Sequence, residues 1–413
     1  MKKIFAILFS LTMILPLFSN GQQEGAKTSE IQFFSWYSTE TDSYEEQLLA
    51  TVASKVDGVA VEIEPVVWDQ MHSLLQARIA GGSMPDLLDF KGQDIAKYGK
   101  AGNLMELTGS WIDEYISPAA RENLQIDGKD YGLPYSALFQ GVLYNRDIFD
   151  KYDLKIPETY EELMEVAAVL KSNGVTPFVS HMADNWHIGN ITMQFAMSEV
   201  FNENPGWGAD LYDGKVTFED SEGYRNVFKH VKDIYDNTWE DTFSVDFGEA
   251  TARFGRGEAA MFATGTWSNR NLQEFPELDY GIFPFPGEKA GAKLIFEPNH
   301  TYGVAATTEN PEKVMEVLKA IITDKELAAT FVDEASAYSL VNGVQPSSPY
   351  PCDSDIDRYK ADNAIVDVSI GNNQIKWAYQ EEYSRYIAEW LLGSKTLDEA
   401  LAAATAHKEN VPR

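Results

Sequence analysis

Trp267 stands within the stretch GEAAMFATGTWSNRN, residues 257–271. Ala259, Ala260, Met261 and Phe262 read as a short buried strand. Gly265 and Thr266 break it, and the indole follows among Ser268, Asn269 and Arg270. A large flat ring at a strand end, beside groups that hydrogen-bond, suits a guest with apolar faces and polar edges. Nine Trp and twenty Tyr are more amphipathic rings than a core needs, which points the same way. Patterns for catalysis are missing. The six His form no HExxH, and His181 and His187 across a polar loop are not a ligand pattern, so no metal is expected. Neither GxSxG, GxxxxGK[ST] nor GxGxxG occurs, and no cofactor is expected. The 64 acidic residues leave a two-carboxylate glycosidase open but offer no specific pair.

A chain of 413 residues exceeds one ordinary core, so two domains are expected. A formal charge of −31 repels phosphate backbones and argues against nucleic acid as a partner. The acidic residues are dispersed, which reads as a soluble surface rather than a disordered tail. Met1-Lys2-Lys3, the apolar run from Ile4 to Phe18 and the small residues Ser19-Asn20-Gly21 make residues 1–21 a secretory signal, too short to span a membrane. Cys352 is the sole cysteine, so no internal disulfide forms and no lipid-anchor cysteine follows the signal. A free periplasmic protein is the expectation.

The elements that must position such residues alternate. IQFFSW (31–36) reads as a strand, SYEEQLLATVASKV (43–56) as a helix, VAVEIEPVVW as a strand, WDQMHSLLQARIAGG as a helix closed by Gly81-Gly82, and PDLLDF as a strand. This β-α-β-α-β rhythm argues for a parallel sheet flanked by helices, with ligands beyond the strands' carboxyl ends. Those ends are Ser35-Trp36-Tyr37 and Asp89-Phe90. Helices are expected over 157–173 with Pro157 in front, over 222–237, and over NPEKVMEVLKAIIT with Pro311 in its first turn. From about Cys352 the chain reads as helix apart from turns. Gly/Pro-rich breaks mark passages between domains near Ala137 to Gly141, where GVLYN begins a strand, between Phe296 and Gly303, and in YSLVNGVQPSSPYP. Passages so widely spread make each domain discontinuous.

Six stretches occur in the order of a known family: IAGGSMPDLLDF, YGKAGNLMELT, the long run 128–178, RFGRGEAAMFATGTW, YGIFPFPG and NPEKVMEVLKAIITDKE. The chain resembles the extracellular solute-binding proteins of carbohydrate ABC importers, the broad group that includes maltose-binding protein. The resemblance implies an α/β fold of two lobes, each a mainly parallel sheet flanked by helices, with a ligand cleft between them and several hinge crossovers. Lobe 1 is expected over 28–138 plus 300–340, and lobe 2 over 139–299 plus 341–413. It also implies a carbohydrate ligand, membrane permease subunits as partners, a monomer, and no enzymatic activity. A polyol, glycerol phosphate or peptide ligand remains an alternative, as does a secreted glycosidase.

The C–H faces of a pyranose pack on aromatic rings, and its hydroxyls take directed hydrogen bonds from carboxylates and amides. By the resemblance Trp267 stacks on sugar, and Trp186 and Trp377 present further rings. Position nominates Trp36, Tyr37, Ser38 and Glu40 after the first strand, Asp89 and Gln93 after PDLL, and Tyr135 at the first passage. His187 beside Trp186, Trp207 in NPGWGAD as a rim residue or a loop anchor, and Tyr302 at the second passage complete the candidates. Asn145 is expected to be structural, holding the turn before a helix.

Overall fold

In a computed structural model the protein is described over residues 28–36, 51–52, 54–66, 68–109, 111–184, 186–368 and 380–410. The proposed signal, Tyr37, Ser38, Glu40, most of the helix expected over 43–56, and Trp377 lie outside these residues. So does the side chain of Gln93.

Numbered along the chain, the strands are β1 (Ser29–Ser35), β2 (Val59–Pro65), β3 (Leu87–Phe90), β4 (Leu133–Pro134), β5 (Ser136–Asn145), β6 (Thr176–Val179), β7 (Ala259–Gly265), β8 (Tyr280–Phe283), β9 (Leu294–Pro298), β10 (Thr301–Val304), β11 (Tyr338–Ser339) and β12 (Ile365–Asp367). They form two sheets. The first has the order β2-β1-β3-β10-β4, with β1 parallel to both β2 and β3 as the β-α-β-α-β pattern requires. Strand β10 lies antiparallel between β3 and β4.

The second sheet departs from the mainly parallel expectation. Its order is β12-β9-β5-β7-β6, and β5 runs antiparallel to β7, β8, β9 and β11. Among the described residues, only β6 with β7 and β12 with β9 are parallel in this sheet. The reason is connectivity. Strand β5 carries the chain away from the first sheet with no crossover helix, and β9 carries it back, so the two must run in opposite directions.

The passages between sheets converge on one residue. Tyr135 separates β4 from β5, and Asn299-His300 separates β9 from β10. The Tyr135 and Ser136 amides donate to the His300 carbonyl at 2.7 and 3.4 Å. The Tyr135 carbonyl accepts from the Leu340 amide at 2.9 Å, where the chain leaves β11. Strand β5 thus begins at Ser136, well ahead of the expected Gly141.

Helix signals hold closely. Helix Tyr160–Ser172 starts from a capping box in which Thr159 and Glu162 exchange bonds, so Pro157 precedes the cap rather than opening the helix. Helix Pro311–Thr323 has its proline in the first turn, and Glu222–Asp236 is capped by Ser221. Asn145 caps helix Arg146–Lys151 by accepting from the Ile148 amide at 3.0 Å. Among its described residues the C-terminal part is helical apart from turns and β12, which no local pattern announces. One apolar core surrounds the first sheet, from Ile31 and Phe33 to Phe331 and Val341. Two more pack the faces of the second. No described helix is long and apolar enough to cross a membrane.

Candidate functional site

The carboxyl ends of β1 and β3 bring four side chains together. Trp36 follows β1, Asp89 lies in β3, Lys91 follows β3, and His300 comes from the passage into β10. The His300 ring lies flat on the Trp36 indole, with centroids 5.0 Å apart and planes 2° apart. Its Nδ1 is 2.8 Å from Asp89 Oδ2, and both side chains are fully buried. Burial pushes the Asp89 carboxyl above its usual range, and the His300 imidazole opposes that rise. Lys91 Nζ sits 5.5 Å from the Trp36 ring centroid and 3.9 Å from Glu297 Oε1.

Glu297 belongs to β9, so Lys91 reaches from one sheet to the other. A chain of buried amides continues from there. Gln140 Nε2 donates to Glu297 Oε2, and Gln194 Nε2 donates to Gln140 Oε1 and lies 3.4 Å from the Thr264 carbonyl. Gln194 is on helix Trp186–Ala196. Trp186, Asn190 and Gln194 fall four residues apart and therefore share one face of that helix.

Trp186 meets Trp267 edge to face, with centroids 6.2 Å apart, and both rings are only partly buried. Gln140 pairs with Gly265 in the β5–β7 register, which places the amide chain beside Trp267. Gly265 is required by space rather than by dihedral angle. Its φ is −148°, open to any residue, but an added Cβ would lie 2.6 Å from Trp267 Cη2 and closer still to Cζ3 and Cε3. The indole folds back over the glycine. Gly265→Ala is expected to push the ring from its place, costing ~1–3 kcal/mol of stability and weakening ligand binding, read by thermal melting and calorimetry.

Asp89 Oδ1, Glu297 Oε1, Asn190 Oδ1, Gln194 Oε1 and Trp267 Nε1 are buried without a hydrogen-bond partner among the described residues. Buried polar groups are normally satisfied, so a junction with several open acceptors and one open donor fits a guest rich in hydroxyls.

Other nominated residues lie elsewhere. Trp207 is in the core of the second sheet, 4.5 Å from the Tyr224 ring and 4.9 Å from Phe218, so a rim role does not fit. Tyr302 and Tyr135 are fully buried and pack on each other at 5.3 Å, inside the first core. Their backbones serve the passages while their rings fill space. His187 faces inward, with Nδ1 2.8 Å from the Tyr235 hydroxyl and Nε2 3.2 Å from the Ala263 carbonyl. Of that pair only Trp186 meets Trp267. Lys91, Gln140, Asn190, Gln194 and Glu297 were not foreseen. The Trp-Asn-Gln spacing was a readable signal, as was a glutamate within the apolar strand LIFEP.

Burial holds the His187 imidazole well below its usual pKa and lowers that of His181, whose ring stacks on it at 4.0 Å. The unfolded chain therefore binds more protons below about pH 6.5. Stability is expected to be full above that value and to fall as the pH drops through it, visible as a lower Tm at pH 5.5 than at pH 7.5. His187→Gln is expected to lessen the difference.

Apart from this junction, His230 Nε2 lies 3.1 Å from Glu199 Oε1 and 3.6 Å from Glu288 Oε1. The Glu288 amide donates to Glu199 Oε1 at 2.7 Å, so the group fastens the loop after Phe285 to the helical layer.

Residues 36–328 match the model of the bacterial extracellular solute-binding protein family, a span that runs from Trp36 through both walls of the junction. The chain belongs to that family. As a solute-binding protein it binds rather than catalyses, and it is of an exported kind. Among its relatives is an uncharacterized ABC transporter extracellular-binding protein of Pyrococcus horikoshii, 26% identical over 345 residues, covering 78% of this chain and 79% of the relative. Another is the multiple sugar-binding protein of Streptococcus mutans, 22% identical over 292 residues and 68% of each chain. A sugar transporter of Bacillus licheniformis in complex with stachyose shares the fold of this solute-binding protein. Its TM-score is 0.75 at 19% identity, over 92% of this chain and 99% of that one.

Proposed function

We propose that this protein captures a sugar or oligosaccharide between its two sheets and hands it to the permease of an ABC importer, with no chemistry performed. The observation that carries the reading is the junction itself: two tryptophans on one wall, a third on the other, and buried acceptors without a partner on residues of both sheets and of helix Trp186–Ala196. Relatives named for sugar binding and for ABC transport support it. The two sheets with their helices act as lobes divided at Tyr135, at Asn299-His300 and after helix Lys325–Ala335, and the protein works as a periplasmic monomer released from its signal.

A guest touching both walls stabilises the closed arrangement, and only its preference for that arrangement drives closure. Moving the balance from 1:99 to 99:1 takes about 5.5 kcal/mol. Calorimetry against mono- and oligosaccharides, paired with X-ray scattering, tests the reading. Tight binding of at least one sugar with a smaller radius of gyration is expected. A well-folded protein indifferent to the whole set, or a scattering curve unmoved at saturation, overturns it.

A further inference from the structure

We propose that Glu199, His230 and Glu288 form a zinc site that pins the loop between β8 and β9 to the helical layer of the second sheet. The proposal does not depend on the sugar reading. Three separate parts of the chain supply the ligands. Glu199 lies in the π-helical turn Met197–Phe201, His230 in helix Glu222–Asp236, and Glu288 in the loop after β8. One ligand atom from each lies within 4.8 Å of the other two. Nε2 of His230 is 3.1 Å from Glu199 Oε1 and 3.6 Å from Glu288 Oε1. Ligands on a tetrahedral ion with bonds of ~2.1 Å stand about 3.4 Å apart, so the imidazole already keeps that spacing from both carboxylates.

The three groups are held from behind. The Glu288 amide donates to Glu199 Oε1 at 2.7 Å, which ties one carboxylate to the backbone of the other. Ser198 Oγ donates to the Phe285 carbonyl at 2.7 Å, and the Tyr160 amide donates to the Gly287 carbonyl at 2.8 Å, so the loop is fastened just ahead of Glu288. The His230 ring stacks on Tyr160 with centroids 3.4 Å apart, and the Tyr160 hydroxyl donates to Asp233 Oδ2 at 2.7 Å. Outer contacts of this kind aim metal ligands. His230 is 2% exposed, and among the described residues its ring nitrogens meet only these two glutamates, with Nδ1 buried and unpartnered. The Glu288 side chain is half exposed, which leaves one side for a water as the fourth ligand.

Two carboxylates and a neutral imidazole carry two negative charges, which a divalent ion balances. Lys289, the next residue, pairs with Glu203. Burial, the bond to Asp233 and the charges of Asp233, Glu288 and Glu199 push the Tyr160 hydroxyl above its usual range, as a locally negative surrounding does. An imidazole beside two carboxylates suits zinc, whereas calcium and magnesium take oxygen ligands in greater number.

The test titrates zinc chloride into the full chain after chelator treatment, followed by calorimetry and thermal melting. One zinc per chain is expected, with a Tm that rises with zinc concentration, and calcium chloride should do neither. Glu288→Gln, at a half-exposed position, should leave the fold intact and weaken zinc binding at least tenfold. His230→Gln should abolish the response of Tm to zinc. Cobalt chloride as a stand-in should give the strong visible absorption of a four-coordinate ion in the unaltered protein and in neither variant. A purely structural hydrogen-bonded group would shift Tm in the variants without making it respond to zinc. A folded, unaltered protein that takes up no zinc, zinc binding that both variants leave unchanged, or calcium bound as tightly as zinc overturns the proposal.

Discussion

Replacing Trp267 with alanine is expected to weaken ligand binding by one to two decades while leaving the melting temperature nearly unchanged. The indole is partly exposed, rests over Gly265 and touches Trp186 at its edge. One ring face covering about 100 Å² of a sugar, at ~25 cal/mol per Å², is worth about 2.5 kcal/mol, and 1.4 kcal/mol is tenfold in affinity. Trp186→Ala should cost a similar amount of affinity and some stability besides, since that ring also packs on Phe247 at 5.6 Å and His181 at 5.0 Å. Affinity left intact in the double alanine variant, measured by calorimetry, would remove the aromatic wall from the site.

The opposite split is expected for Trp207. Its ring is enclosed by Phe201, Phe218 and Tyr224, and truncation opens a cavity in the largest apolar cluster of the second sheet. Trp207→Ala should cost ~3–5 kcal/mol and lower the Tm by on the order of 10 °C. Affinity in the folded fraction should stay within about twofold of the unaltered protein. Denaturant unfolding followed by titration of the refolded variant measures both. Weakened binding at full stability would return Trp207 to the rim.

These two tryptophans differ in how much of their surroundings a local reading can see. Trp267 stands out because an apolar strand ends just before it, so its misfit is visible within fifteen residues. Trp207 also follows a Pro-Gly turn, but the rings that bury it, Phe218 and Tyr224, arrive later and in other elements. Strands β1 to β3 of the first sheet were legible because each carries its own period. Strand β12 was not, because three residues become a strand only by pairing with β9. The start of β5 was hidden by Ser136 and Gln140, polar residues that look like turn formers. They are buried instead, Gln140 within the amide chain from Glu297 to Gln194. Asp89 was nominated from its strand end, while its partner His300 lies 211 residues away in sequence.

Three separate stretches of backbone are knotted by hydrogen bonds at Tyr135. Hinges set on a common pin let a door swing and forbid it to slide. On the proposed two-lobe reading, that shared point favours rotation of the halves over sliding, so the gap between them would widen as a wedge.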